Sequence, residues 1–289
     1  MRIEGGLAAK KRSIERALER VLSRDDSPLF RVMRYAVFPG GKRFRPLLVL
    51  STGACLGADP RPLLTFACAI ELIHNYSLVH DDLPSMDNDD IRRGQPTCHR
   101  AFGEDLAILA GDGLLTLAYE LMAGADVPQA ALERKQEAIR TISRSAGVDG
   151  LVGGQVLDIT LRPKSITRPK MEALMRRKTG ALISAAVEAG AILGQAPPAE
   201  RRALLEYAKN VGLAFQVRDD IQDLRRKGKT DTPDRPNYAA FAGEDAAGRR
   251  LESLIRRAVG SLDEFLPRAG ELSWLALSLL APEGEARRA

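Results

Sequence analysis

The sequence predicts an all-α fold, a single domain across residues 1–289. Long apolar-rich segments recur along the chain and are built on Ala, Leu and Glu, not on alternating β-branched residues. Proline and glycine breakers cluster between those segments. No low-complexity linker and no solenoid period divides the chain, so one helical domain is the economical reading. Apolar residues make up 45% of the 289, enough for a sizeable core.

The elements follow in order. The N-terminal MRIEGGLAAKKRSIERALER has no apolar signal core and reads as an amphipathic helix. Apolar helical segments are expected at 47–56, 63–80, 105–122, 171–193, 200–224 and 248–266. Breakers separate them at Pro39-Gly40-Gly41, Asp59-Pro60, Val127-Pro128, Arg162-Pro163, Pro197-Pro198 and Thr232-Pro233. Pro128, Pro169 and Pro198 stand near first turns, where a missing N–H has no partner to lose. Segment 63–80, LLTFACAIELIHNYSLVH, holds no Lys or Arg and a single acid, Glu71. A helix apolar nearly all round is buried, and GLAFQV at 212–217 has the same character. Each of these two runs almost directly into a pair of aspartates.

Composition narrows the function. The 43 Lys+Arg against 38 Asp+Glu leave a net charge of +5. The basic clusters are scattered and read as solvated helix faces. Aromatics are 5% of the chain and do not interleave with them, so a nucleic-acid platform is not expected. No stretch of ~18 apolar residues is free of charge, so no membrane span is expected. Cys55, Cys68 and Cys98 lack metal-ligand spacing and cannot form a closed disulfide framework. They fit a reducing cytosol.

The acidic motifs are Asp81-Asp82-Leu83-Pro84-Ser85-Met86-Asp87-Asn88-Asp89-Asp90 and Asp219-Asp220-Ile221-Gln222-Asp223. Paired carboxylates at the end of an apolar helix repel one another and lose hydration, so something positive must compensate. Asp219 and Asp223 are four apart and share a helix face. Asp81 and Asp87 would diverge on a continuous helix, but Pro84 favours a break that lets the chain bring Asp87 back beside Asp81. Oxygen-only ligands suit Mg²⁺, which takes one or two carboxylates and completes its shell with substrate phosphate oxygens.

Cations complement the acids. Lys42 and Arg45 of GGKRFRP precede an apolar helix that Pro46 can open, a suitable place for a diphosphate. Arg92-Arg93 directly follows the first acidic run. Lys178-Thr179 follows Arg176-Arg177 within a helix.

Taken together, these residues resemble the trans-prenyl (polyprenyl) diphosphate synthase family, and within it the bacterial farnesyl diphosphate synthases. The matching strings are GGKRFRP (40–46), ELIHNYSLVHDDLPSMDNDDIRRGQPTCHRAFGEDLAILAGD (71–112), GLVGGQVLD (150–158), RRKTGALISAAVEAGAILG (176–194) and GLAFQVRDDIQD (212–223). The resemblance implies antiparallel helices around a deep central cavity of the isoprenoid synthase type, and a homodimer. It implies a prenyltransferase that condenses isopentenyl diphosphate head to tail with an allylic diphosphate, dimethylallyl or geranyl. Farnesyl diphosphate is the expected product, with geranylgeranyl or longer chains the alternative. Three Mg²⁺ per site are implied, with Asp81, Asp87 and Asp219 as principal ligands and Asp82, Asp220 and Asp223 supporting. Lys42, Arg45, His74 and Arg93 are assigned to isopentenyl diphosphate. Arg92, Lys178, Thr179 and Gln216 are assigned to the allylic diphosphate, Lys178 also helping the leaving group depart. Tyr76 is implied as the floor that limits chain length, about one turn (~5.4 Å) before Asp81, with the small Ser77 beside it. Gly153-Gly154-Gln155, read as a turn, and Asp158 match as well, without an assigned role.

There are departures. Asn88 and Gln222 differ from the usual residues. The segment after Asp223 is short: Lys229 fits the family's Gly-Lys turn, Arg235 stands near a second expected lysine, and 225–238 reads as a loop ordered by bound diphosphate. A terpene cyclase of related fold would not need Lys42, Arg45 and His74. A regulatory subunit of a heteromeric synthase can lose its aspartates, and here both motifs stand.

Overall fold

The computed structural model describes residues 2–38, 40–161, 166–227, 235–263 and 268–281. Lys229 and residues 228–234 of the expected loop lie outside them.

Helix α1 (Arg2–Leu22) leads into α2 (Pro28–Val37), whose Ser27 side chain caps it with Pro28 in its first turn. Helix α3 (Phe44–Cys55) starts before the proline expected to open it. Pro46 lies inside the first turn, where its missing N–H is harmless, and Arg43, at φ 50°, turns the chain in. The Asp59 side chain caps α4 (Pro60–Asp81) by accepting from Arg61 N at 2.9 Å. A two-residue hairpin, β1 (Ile91–Arg92) and β2 (Gln95–Pro96), is the one sheet among the described residues.

Then come α5 (Cys98–Phe102), α6 (Glu104–Ala123), α7 (Leu132–Ala146), α8 (Leu151–Thr160), α9 (Arg168–Met175), α10 (Ala181–Leu193), α11 (Pro198–Lys227), α12 (Tyr238–Ala242), α13 (Glu244–Gly260) and α14 (Gly270–Leu277). Two expectations need correction. Gly153-Gly154-Gln155 is no turn but lies within α8. The segment 171–193 is not one regular helix, because a wider π-type turn at Arg176–Gly180 divides α9 from α10. A Cβ on Gly154 would lie 2.2 Å from Lys178 N, so α8 presses directly on this turn. Turns of this type often mark functional sites.

Helix α4 is the central element, surrounded by α1, α2, α3, α6 and α10. Phe66, Ala67, Ala69, Ile70, Leu72 and Ile73 on it are wholly buried. Helices α4 and α6 are long and apolar enough to cross a bilayer by composition alone, but α4's apolar window is 72% buried inside the fold and α6's 39%. Helix α6 leaves Ile108 and Leu109 exposed.

Where α4 meets α6, a Cβ on Gly111 would lie 2.0 Å from His80 Nε2, which bonds Ile108 O at 3.0 Å. Gly→Ala within a helix otherwise gains about 1 kcal/mol. Gly111→Ala is therefore expected to do the opposite and destabilise by about 1–3 kcal/mol, read as a lower thermal unfolding midpoint.

Candidate active site

Helix α4 ends at Asp81, and Pro84 interrupts the ladder beyond it. The chain then folds back, so that Asp87 N donates to Asp81 O at 2.9 Å and Asn88 adopts φ 52°. Asp87 thus returns beside Asp81 as the proline suggested. Asp82 faces inward and takes Arg92 Nε on both carboxylate oxygens, at 2.7 and 2.8 Å. This bidentate pair ties the motif to the hairpin.

Helix α11 continues unbroken through the second motif, which keeps Asp219 and Asp223 on one face. Asp220 is buried and accepts from Gln216 Nε2 and from Tyr238 N, each at 2.7 Å, so it anchors α12 to α11. Gln216 Oε1 accepts the Thr179 hydroxyl. Asp223 is paired with Arg226.

A cavity of about 1100 Å³ opens between the two motifs, and Asp81, Asp87, Asp219, Asp220 and Asp223 all line it. On one wall Lys178 holds Asp158 at 2.6 Å. Arg235 reaches Asp87 Oδ1 and Met86 O at 3.1 Å. On the α3 side, Lys42 and Arg45 both pull on the Asp219 carboxyl electrostatically. Arg45 is buried, stacks over Phe215 at 5.4 Å, and has no partner on Nε. His74 is held well below its usual pKa by burial and then by Arg45, Arg93 and Arg92, so it is neutral at physiological pH. The expected substrate cations therefore fall into two groups, one near each motif. Tyr76 and Ser77 do not line the cavity. Tyr76 is buried edge-on to His80, with ring centroids 5.8 Å apart, and burial pushes its phenol up to about 12. The apolar wall comes from Ile159, Leu161, Met171, Leu174, Met175 and Leu224.

Asp158 and Arg235 are the site residues that sequence reasoning left without a role. The signal was there for Asp158, which closes GLVGGQVLD seven residues after Leu151 opens α8.

Three observations fit a divalent cation. Neither the Asp81 nor the Asp219 carboxylate has a hydrogen bond or ion pair among the described residues, while their neighbours Asp82, Asp87, Asp220 and Asp223 do. Burial first, then repulsion from Asp87 at one and Asp223 at the other, pushes both up to about 7, against the pull of nearby cations. Finally, among the described residues seven aspartates line the cavity against five cations, Arg92, Arg93, Lys178, Arg226 and Arg235. Among the described residues no three His, Cys, Asp or Glu converge to hold an ion unaided. Mg²⁺ that takes one or two carboxylates and fills its shell from phosphate is consistent with that.

A family model for polyprenyl synthetase matches residues 26–234. The chain belongs to the polyprenyl synthetase family. It is 47% identical to a farnesyl diphosphate synthase of Geobacillus stearothermophilus over 77% of this chain and 75% of that one. It is 41% identical to the farnesyl diphosphate synthase of Escherichia coli, covering 89% and 88%. Among solved structures of the family, an FPP/GFPP synthase from Zymomonas mobilis superposes with a TM-score of 0.87 at 35% identity, over 97% of this chain and 99% of that one. The all-α architecture expected from the sequence is that of the family.

The raised pKa values carry a stability consequence. An unfolded Asp titrates near ~3.9, and folded Asp81 near about 7. The folded state binds the extra proton, so this group's contribution is present at low pH and is lost as pH rises through about 7. Asp81→Asn mimics the protonated carboxyl. In metal chelator it is expected to raise the unfolding midpoint by roughly 2–4 °C at about pH 8, with the gain shrinking toward about pH 5. A gain independent of pH would contradict the assignment.

Proposed function

We propose that the chain is a Mg²⁺-dependent prenyltransferase that joins isopentenyl diphosphate head to tail to dimethylallyl or geranyl diphosphate and releases farnesyl diphosphate. The observation that supports this best is the meeting of two carboxylate motifs at one cavity with a separate group of cations behind each.

Asp81, Asp87, Asp219 and Asp223 are the residues that would hold the metal, three ions in the full complex. Asp82 and Asp220 support them from behind, through Arg92 and α12. When bound, the metal supplies electrostatic stabilisation of the departing diphosphate.

The protein's own residues do the rest. Arg92, Lys178, Thr179 and Gln216 hold the allylic diphosphate, and Lys178 places a positive charge where leaving-group charge develops. An allylic cation is delocalised, so ionisation is feasible once that charge is met. Lys42, Arg45, His74 and Arg93 hold isopentenyl diphosphate with its double bond toward the allylic carbon, which makes the encounter intramolecular in effect. Neutral His74 can donate one hydrogen bond to a phosphate oxygen. The apolar wall keeps water from the cation. Released diphosphate can accept the last proton, so no side-chain base is required. Lys229 and Arg235 are assigned to the diphosphates as well, Arg235 from its place beside Asp87. We place the enzyme in the cytosol and read it as a homodimer, with the exposed apolar face of α6 as the surface that a second copy covers.

The test is incubation of purified protein with Mg²⁺, isopentenyl diphosphate and each allylic primer, with products resolved by carbon number. A fifteen-carbon product is expected, abolished by chelator. Asp219→Ala should lower kcat by ~10³-fold or more with an unchanged circular dichroism spectrum. Near-normal turnover would overturn the metal assignment.

Product length tests a second residue. If the chain grows along α4, Tyr76 is the first bulky side chain it meets. Tyr76→Ala should then shift the product toward twenty carbons or more, measured by chromatography of the dephosphorylated alcohols. An active variant with the parent's product would place the floor elsewhere.

A further inference from the structure

Arg93 stands on an unusual support. It occupies the two-residue tip of the β1–β2 hairpin with Gly94, and both have positive φ, 53° and 82°. Such a primed turn fixes the backbone but not a long side chain, and the residue is exposed. An unrestrained guanidinium would lose considerable rotamer freedom on binding an anion.

A buried chain of hydrogen bonds reaches Arg93 from the opposite side. It starts at Arg43, whose side chain is wholly buried, unlike Lys42 beside it. Arg43 Nη1 donates to Glu71 Oε1 at 2.6 Å, and its other nitrogens donate to Glu15 and to Val37 O. Glu71 is 2% exposed and the next member, Asn75, 1%. Asn75 Nδ2 donates both to Glu71 O at 2.8 Å and to Glu71 Oε1 at 3.3 Å. That fixes which way the amide faces. A flipped amide would set its carbonyl against the carboxylate and its NH₂ against a cation. Asn75 Oδ1 is therefore presented outward, and Arg93 Nη1 donates to it at 3.3 Å.

We propose that Asn75 is a positioning residue for the homoallylic diphosphate, acting through Arg93. This rests on the reading that Arg93 binds isopentenyl diphosphate. The choice of an amide has a physical point. Arg92 and Lys178 are held by carboxylates, which orient them and also neutralise them. Asn75 orients Arg93 with a neutral dipole, so the full guanidinium charge stays available to phosphate. The anchoring negative charge sits one residue deeper, on Glu71, where Arg43 already balances it.

The test is a double-mutant cycle of Asn75→Ala and Arg93→Ala, with KM for each substrate and kcat measured in all four proteins. Asn75→Ala is expected to raise KM for isopentenyl diphosphate roughly five- to tenfold, with KM for the allylic substrate unchanged and kcat within about twofold. In the Arg93→Ala background it should add nothing further. An equal increase in both backgrounds would mean that Asn75 acts by general distortion, and no increase in the parent would mean that it does not act; either overturns the proposal. If Arg93→Ala itself leaves that KM unchanged, the underlying site assignment fails, and the proposal with it. Should Asn75→Ala not fold, Asn75→Ser takes its place in the cycle, since it keeps a donor for Glu71 O but cannot reach Arg93.

Discussion

Two carboxylates with no hydrogen bond or ion pair among the described residues, Asp81 at the end of α4 and Asp219 within α11, face a common cavity. Desolvating a carboxylate in this way is unfavourable unless positive charge meets it, and much of the fold near the cavity follows from that constraint. Helix α4 is apolar along most of its length and sits at the centre, so its charge is gathered at its two ends, Arg61 and Asp81, and at Glu71, which Arg43 neutralises. The neighbouring acids are disarmed one by one. Arg92 holds Asp82, the backbone and Gln216 hold Asp220, and Arg226 holds Asp223. What is left over is the pair of carboxylates proposed to meet the metal.

The two cation groups are prepared differently. On the side proposed for the leaving diphosphate, Arg92, Lys178 and Arg235 are already paired with Asp82, Asp158 and Asp87. A phosphate arriving there exchanges ion pairs and gains only the difference, which makes binding depend on extra cations brought with it. On the α3 side, Arg45 keeps an unpartnered buried Nε and His74 is neutral. Arg45 and His74 are thus desolvated beforehand, unlike the exposed Lys42 and Arg93. On the proposed assignment, the paired side would meet the diphosphate that departs and the α3 side the one that is retained.

The sequence made the helices legible because 63–80 and 212–217 have almost no charge to place in solvent. It made the first motif legible because Pro84 can do little else there than break the ladder. Close approaches were not legible. Gly154 looked like turn chemistry, whereas its role is to let α8 touch the Lys178 backbone, and a glycine reads the same in either setting. The π-type turn is likewise silent, since Arg176–Gly180 has ordinary helix composition. Asp158 gained its meaning only from Lys178, twenty residues away. Arg43 has no signal of its own within GGKRFRP. Its positive φ turns it inward, and nothing local announces that a left-handed arginine will be buried.

The cavity wall bears on what limits the product. Its apolar lining near α9 is Met171, Leu174 and Met175, and methionine yields to an incoming chain because its unbranched thioether has many accessible rotamers. Tyr76 is the opposite kind of surface, a flat ring fixed edge-on against His80. His80 is in turn wedged against Gly111 and bonded to Ile108 O. A prenyl chain that grows toward α9 meets a wall that deforms gradually, and its length would be poorly defined. Tyr76 does not line the cavity, but a chain that extended along α4 as far as Tyr76 would meet a ring braced by a second helix. If Tyr76 is the floor, the sharpness of the product distribution would depend on the α4–α6 contact as much as on Tyr76 itself.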